Sequence, residues 1–177
     1  MKSLDNCRVA VVGLGLMGGS LAGALRGHCR SVIGVARRSA TLDTALRRGL
    51  IDTGTTNLAD GLRMADVVVL ATPVRVILQQ LAEIGPLLPE GCLLMDLGST
   101  KTRVTAAMAQ LPSHVDPLGG HPMCGKEVSG IEAAERMTAD GMGVNVTVNY
   151  ALPQQIAFAG AIEANSTAPL SFRTQMD

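Results

Sequence analysis

Apolar residues in this chain fall into short dense runs, separated by stretches in which they recur every three or four positions. Val9–Val12 is an unbroken run ending in glycine, Val67–Ala71 is a second unbroken run, and Val32–Val35 and Cys92–Leu97 repeat the form with a single interruption each. Such runs, bounded by turn residues, are what strands buried on both faces show. Between them, Met17–Arg26, Thr41–Arg48, Val74–Ile84 and Lys101–Gln110 carry helical spacing; the second stops at Gly49 and the third before Pro86. Val115–Gly120 is one more extended run. Strands alternating with helices predict an α/β fold with a Rossmann-like, doubly wound, mostly parallel sheet. Near the end, Val144, Val146, Val148 and Tyr150 alternate with Asn and Thr at strand period, which predicts a further strand. Beyond Pro153 the pattern stops. The expected organisation is a Rossmann-like domain over residues 1–150 and a poorly ordered or divergent tail over 151–177.

Composition narrows the class. The chain has 177 residues, 47% of them hydrophobic, with 15 basic and 15 acidic side chains in balance. That suits a folded core and gives no basic excess for nucleic-acid binding. No apolar run is long enough to span a membrane, and "MKSLDNC" lacks a signal-peptide core, so a cytoplasmic protein is expected. Cys7, Cys29, Cys92 and Cys124 form no C-x-x-C pair, which predicts reduced thiols and no zinc site. One break is visible. Residues 1–149 contain no Phe, Tyr or Trp, whereas Tyr150, Phe158 and Phe172 all fall in the last part, where charge is also sparse.

The first run leads straight into "GLGLMGG", with Gly13, Gly15 and Gly18 spaced as G-x-G-x-x-G. Glycines of this spacing also serve ordinary turns. Here a strand precedes, a helix follows and a second strand comes about twenty residues on, the context a dinucleotide site requires. Gly13 would allow the tight turn, Gly15 the approach of a pyrophosphate, and Gly18 close packing of helix on strand. Leu16 and Met17, inside the same turn, are assigned to the same cofactor contact. The second strand ends in "VARRSAT", and no acid occurs between Gly18 and Asp43. An NAD site usually places a carboxylate there. Arg37 and Arg38 instead suit a 2′-phosphate, so NADP is expected over NAD, the alternative being a solvated arginine pair.

Two further strand ends carry polar chemistry. In "LLMDLGSTKTRV", Ser99 either caps the helix that follows or contacts a ligand. In "DPLGGHPMCGKEVSG", His121 stands between Gly120 and Pro122 beyond a strand, either as a structural histidine or as a proton acceptor. His28 and His114 lie in ordinary loop contexts and are assigned nothing.

"VVGLGLMGGSLAGALR", "ADVVVLATPV", "DLGSTKT" and "GGHPMCGKEVSGIEAAE" together resemble the prephenate and arogenate dehydrogenases, NAD(P)-dependent enzymes of tyrosine biosynthesis. The resemblance covers roughly residues 7–135. It implies that His121 is the catalytic histidine on the substrate ring hydroxyl and that Ser99 helps orient it. It also implies that Thr72 and Pro73 lie against the cofactor, and that "ARR" places the chain with NADP-using members. The implied reaction is hydride loss from the carbinol carbon, release of carbon dioxide and aromatisation of the ring.

The family's helical domain, which forms its dimer and closes its substrate pocket, has no match in this sequence. The dimer interface is therefore expected to be missing, and turnover by this chain to be weak or absent. Two other readings stand beside the first. One is a β-hydroxyacid or imine-type NAD(P) reductase, which shares "GLGLMG" but lacks "DLGSTKT" and "GGHPM". The other is a dinucleotide-binding module without catalysis.

Overall fold

A computed structural model of the protein describes residues 3–121. Strands β1 (Arg8–Val12), β2 (Ser31–Val35), β3 (Thr53–Thr55), β4 (Val67–Leu70), β5 (Cys92–Asp96) and β6 (Val115–Gly119) form one six-stranded sheet. Its order is β3-β2-β1-β4-β5-β6, and every pairing is parallel. The connections carry helices α1 (Leu16–Leu25), α2 (Ser39–Arg47), α3 (Leu58–Leu62), α4 (Val74–Ile84) and α5 (Thr102–Met108). This is the doubly wound arrangement that the alternating pattern predicts.

Strand side chains alternate between two cores, one on each face of the sheet. Val9 and Val11 of β1, with Val67 and Val69 of β4, pack against Ala22 and Leu25 of α1 and Leu42 and Ala45 of α2. Ala10 and Val12, with Val68 and Leu70, face the other way onto Leu62, Ile77, Leu81 and Ile84. Val104 and Met108 of α5 complete that second layer. Both faces are covered, which explains why the strands read as continuous apolar runs instead of alternating ones.

Helix boundaries follow local chemistry. α2 ends one residue before its Arg48 C-cap, and Gly49 then takes φ +66°, a left-handed conformation that ends a helix cheaply only at glycine. α4 spans the predicted Val74–Ile84, and Pro86 lies just beyond it. α5 is shorter than its predicted Lys101–Gln110, because the chain tightens into turns before Pro112. The segment between residues 50 and 66 holds β3 and α3, which no hydrophobic pattern announces. β3 is a Thr-Gly-Thr edge strand. α3 is a five-residue helix held by its N-cap, where Asn57 Oδ1 accepts the N–H groups of Ala59 at 3.0 Å and Asp60 at 3.4 Å. The strand predicted around Val144–Tyr150, the domain boundary at residue 150 and Cys124 lie outside the described residues.

Cys7 and Cys92 are buried, Cys29 is half-buried, and none of the three is in a disulfide among the described residues. Burial, reinforced by the nearby negative charges of Asp66 and Asp116, pushes the Cys92 thiol up to about 12. The folded state therefore keeps a proton that the unfolded chain releases, so stability declines as pH rises from the ordinary thiol range through about 12. At pH 8 iodoacetamide should leave Cys92 unmodified in the folded protein and modify it once guanidinium is added, as read by peptide mapping. Rapid modification without denaturant would show that β5 opens readily.

Candidate active site

Parallel register sets Val35 of β2, Val12 of β1, Leu70 of β4, Asp96 of β5 and Gly119 of β6 side by side. Every candidate read from the sequence leaves the sheet just beyond this row. Gly13, Gly15, Leu16, Met17 and Gly18 follow β1, and Arg37 and Arg38 follow β2. Thr72 and Pro73 follow β4, Ser99 follows β5, and His121 follows β6. The cross-strand ladder continues past the strand ends and fixes the first loop residues. Gly13 N–H donates to Val35 O at 2.8 Å, Ala71 N–H to Val12 O at 2.8 Å, and Leu97 N–H to Leu70 O at 2.9 Å. Open α/β sheets bind ligands at this carboxyl edge, at the point where strand order reverses, here between β1 and β4.

The three motif glycines have different physical reasons. Gly13 takes φ +96°, and a Cβ there would lie 2.8 Å from Thr72 Cγ2 and 2.9 Å from Ala71 O. A Cβ on Gly18 would lie 1.9 Å from Gly13 O and 2.9 Å from Ala71 Cβ, so α1 can sit this close to the β1 turn only with glycine. Gly15 is exposed, and a Cβ there would meet nothing within 4 Å. The fold itself does not need a glycine at that position. Gly15 is also the N-cap of α1, and no side chain caps that end of the helix. The open space therefore faces a helix N-terminus, the place where backbone N–H groups hold phosphates.

At the end of β2, Arg37 and Arg38 are exposed, and neither forms an ion pair among the described residues. Arg38 is the N-cap of α2 without a side-chain cap. Asp52 lies at the other end of β2, where its carboxylate accepts Val32 N–H at 2.7 Å and pairs with Arg26. Asp43 is exposed within α2, well past the strand end.

Thr72 is held by its hydroxyl, which donates to Gln80 Oε1 of α4 at 2.8 Å. Pro73 is exposed and serves as the N-cap of α4. Ser99 is exposed and does not cap α5, which corrects one of its two readings: the helix starts at Thr102, its N-cap is Lys101, and no side chain caps it. Gly98 turns the chain early, so Ser99 stands two residues short of the cap position. His121 is half-buried and follows Gly120, whose N–H reaches Asp96 O at 3.1 Å.

Sequence reasoning missed Asp96. It is wholly buried at the end of β5, bound to Gly98 N–H at 2.8 Å and to the Lys101 ammonium. The available signal was an acid ending an apolar run, with a lysine five residues later. His114, by contrast, bonds Leu88 O at 3.2 Å at the opposite end of the sheet.

Fold and site together define a Rossmann-type nucleotide-binding domain. The chain belongs to the family of the prephenate dehydrogenase nucleotide-binding domain, whose model matches residues 21–157. That match runs past Glu135, where the resemblance read from the motifs ends. Prephenate dehydrogenase of Lactococcus lactis subsp. cremoris is 37% identical over 132 residues, 72% of this chain and 37% of that protein. Among solved structures, prephenate dehydrogenase from A. aeolicus in complex with hydroxyphenyl propionate and NAD+ superposes with a TM-score of 0.79 at 27% identity. That match covers 98% of this chain and 62% of the Aquifex chain. Synechocystis arogenate dehydrogenase gives a TM-score of 0.76 at 32% identity, covering 94% of this chain and 59% of that one. The chain thus spans little more than a third of the Lactococcus protein. No helix among the described residues is long and apolar enough to cross a membrane.

Proposed function

We propose that this protein takes part in the NADP-dependent oxidative decarboxylation of arogenate or prephenate. The observation that carries the reading is the single sheet edge from which the glycine turn, Thr72, Ser99 and His121 all emerge. Membership of the family supplies the reaction class.

The residues present fit a dinucleotide. The open space at Gly15 and the uncapped start of α1 suit its pyrophosphate, with Leu16 and Met17 beside it. Thr72 and Pro73, on the adjoining strand end, suit the nicotinamide side. NADP, when bound, supplies the hydride acceptor. His121 takes the proton of the ring hydroxyl as the carbonyl forms, and Ser99 holds that hydroxyl and the imidazole in line. Loss of carbon dioxide then leaves an aromatic ring, which makes the step effectively irreversible. Orientation is the main task left to the protein.

NAD is the cofactor named for the Aquifex complex. The preference proposed for this chain is NADP, because β2 is followed by two arginines without an ion-pair partner among the described residues, and by no acid before Asp43. A guanidinium on a 2′-phosphate contributes about 1.5–3 kcal/mol, or roughly tenfold or more in affinity. Calorimetric titration of the parent protein should show NADP binding at least about tenfold more tightly than NAD. Arg37→Asp should narrow or reverse that difference. Equal affinities in the parent would remove the arginine pair from the site.

A further inference from the structure

We infer that Asp96 is a positioning residue that locks the Ser99 loop to His121, an inference that rests on the reading of those two residues as the reacting site. Asp96 closes β5, and its side chain is 0% exposed. Its Oδ2 accepts the N–H of Gly98, the residue before Ser99, at 2.8 Å, and the ammonium of Lys101, two residues after Ser99. Its Oδ1 faces the N–H of Gly120, the residue before His121, at 3.4 Å, and its own main-chain oxygen accepts that N–H at 3.1 Å. One carboxylate therefore brackets Ser99 on both sides and reaches the backbone that presents His121.

The backbone is shaped to allow this. A Cβ on Gly98 would come within 2.9 Å of Asp96 Oδ2, and a Cβ on Gly120 within 2.6 Å of Asp96 O. The Lys101 stem lies along Gly119, where a Cβ would sit 3.4 Å from Lys101 Cδ. Glycine at these positions lets two loops close around a buried charge and give it donors. A buried carboxylate paired with one ammonium adds little net stability over an apolar side chain of similar volume. It does tie together groups that apolar packing would leave free to slide. Among the described residues the Lys101 ammonium pairs with Asp96 alone: Lys101 is the backbone N-cap of α5, yet its side chain turns back to Asp96 instead of toward solvent.

The test asks whether a change on the Ser99 side reaches His121 through Asp96. The ring signals of His121, assigned by comparison with His121→Asn, are recorded for Lys101→Met, Asp96→Asn and the double variant. Lys101→Met should shift the His121 ring signals and speed amide exchange at Gly98 and Gly120. In the Asp96→Asn background the same lysine change should leave the ring signals where Asp96→Asn alone puts them. Lys101→Arg, which keeps the charge, should restore the parent signals. An equal shift with and without the Asp96 carboxylate, or no shift at all, would overturn the inference. If Asp96→Asn does not fold, Lys101→Met and Lys101→Arg decide alone, and identical signals in those two would overturn it.

Steady-state kinetics on the same proteins separate this inference from the proposed reaction. Asp96→Asn should lower kcat roughly 10- to 100-fold while leaving NADP affinity unchanged, as expected for a misaligned acceptor. A parent protein that binds neither NADP nor NAD overturns the proposed function, while the His121 signals still decide the coupling. An active parent with uncoupled signals overturns only the role of Asp96.

Discussion

His121→Asn is expected to bind NADP as the parent does and to lose, by roughly 10²–10⁴ in rate, whatever oxidation of arogenate or prephenate the parent shows. Asparagine keeps a polar side chain at the same half-buried position beyond β6 but has no nitrogen that can accept a proton near neutral pH. The size of the effect discriminates between roles. A loss of 10²–10⁴ corresponds to about 2.7–5.5 kcal/mol of transition-state stabilisation. A simple hydrogen bond to the substrate, with no proton moved, contributes only about 0.5–1.5 kcal/mol. The nucleotide turn follows β1 and the imidazole follows β6, with β4 and β5 between them, so cofactor affinity should not change. Calorimetry measures that affinity, which suits a chain without tryptophan, and absorbance of the reduced cofactor measures the rate. Unchanged turnover in a folded His121→Asn variant would remove the imidazole from the proton path.

Most of the sheet was legible because parallel strands buried on both faces must be continuous apolar runs. β1, β2, β4 and β5 have that form; these four, and β6, whose Val-Asp-Pro-Leu-Gly was read only as an extended run, were each read to within a residue or so of their observed ends. β3 and α3 were not legible, for two different reasons. Thr53–Thr55 sits at the sheet edge with its side chains exposed or half-buried, so no apolar signal is required of it. α3 depends on the Asn57 cap and on the burial of Leu62, and five residues are too few to show a period. At the candidate site, Arg37, Arg38 and Ser99 are exposed and His121 is half-buried, and such residues stand out in the sequence as polar types following apolar runs. Asp96 was hidden because its meaning is tertiary: the Gly120 N–H that it faces lies 24 positions away. Ser99 shows the converse error. A serine just ahead of a helix reads locally as a cap, and only the early turn at Gly98 carries it out of capping position.

Gly18→Ala and Gly15→Val should fail in opposite ways, although both positions belong to one motif. The new Cβ at Gly18 would lie 1.9 Å from the carbonyl oxygen of Gly13, a backbone atom that cannot rotate aside. Gly13 is itself pinned, its N–H bonded to Val35 O at 2.8 Å, so relief requires α1 to lift from the sheet. Overpacking typically costs about 1–3 kcal/mol and more where nothing can yield, so about 3 kcal/mol or more is expected here. In a domain of this size that lowers Tm by about 10 °C or more. Gly15→Val meets no protein atom within 4 Å, and the backbone there has φ −81°, which valine adopts without strain. Its fold should survive with a Tm close to the parent's, since a valine at an N-cap costs only about 1 kcal/mol or less relative to glycine. The valine would instead fill the space proposed for the pyrophosphate and block the helix N–H groups behind it. Loss of NADP affinity by at least about 100-fold is expected, equivalent to roughly 2.7 kcal/mol. Thermal melts and calorimetric titration of both variants check the pair. A Gly15→Val protein that binds NADP normally would take this loop out of the nucleotide site, and a Gly18→Ala protein as stable as the parent would show that α1 is free to move away from the sheet.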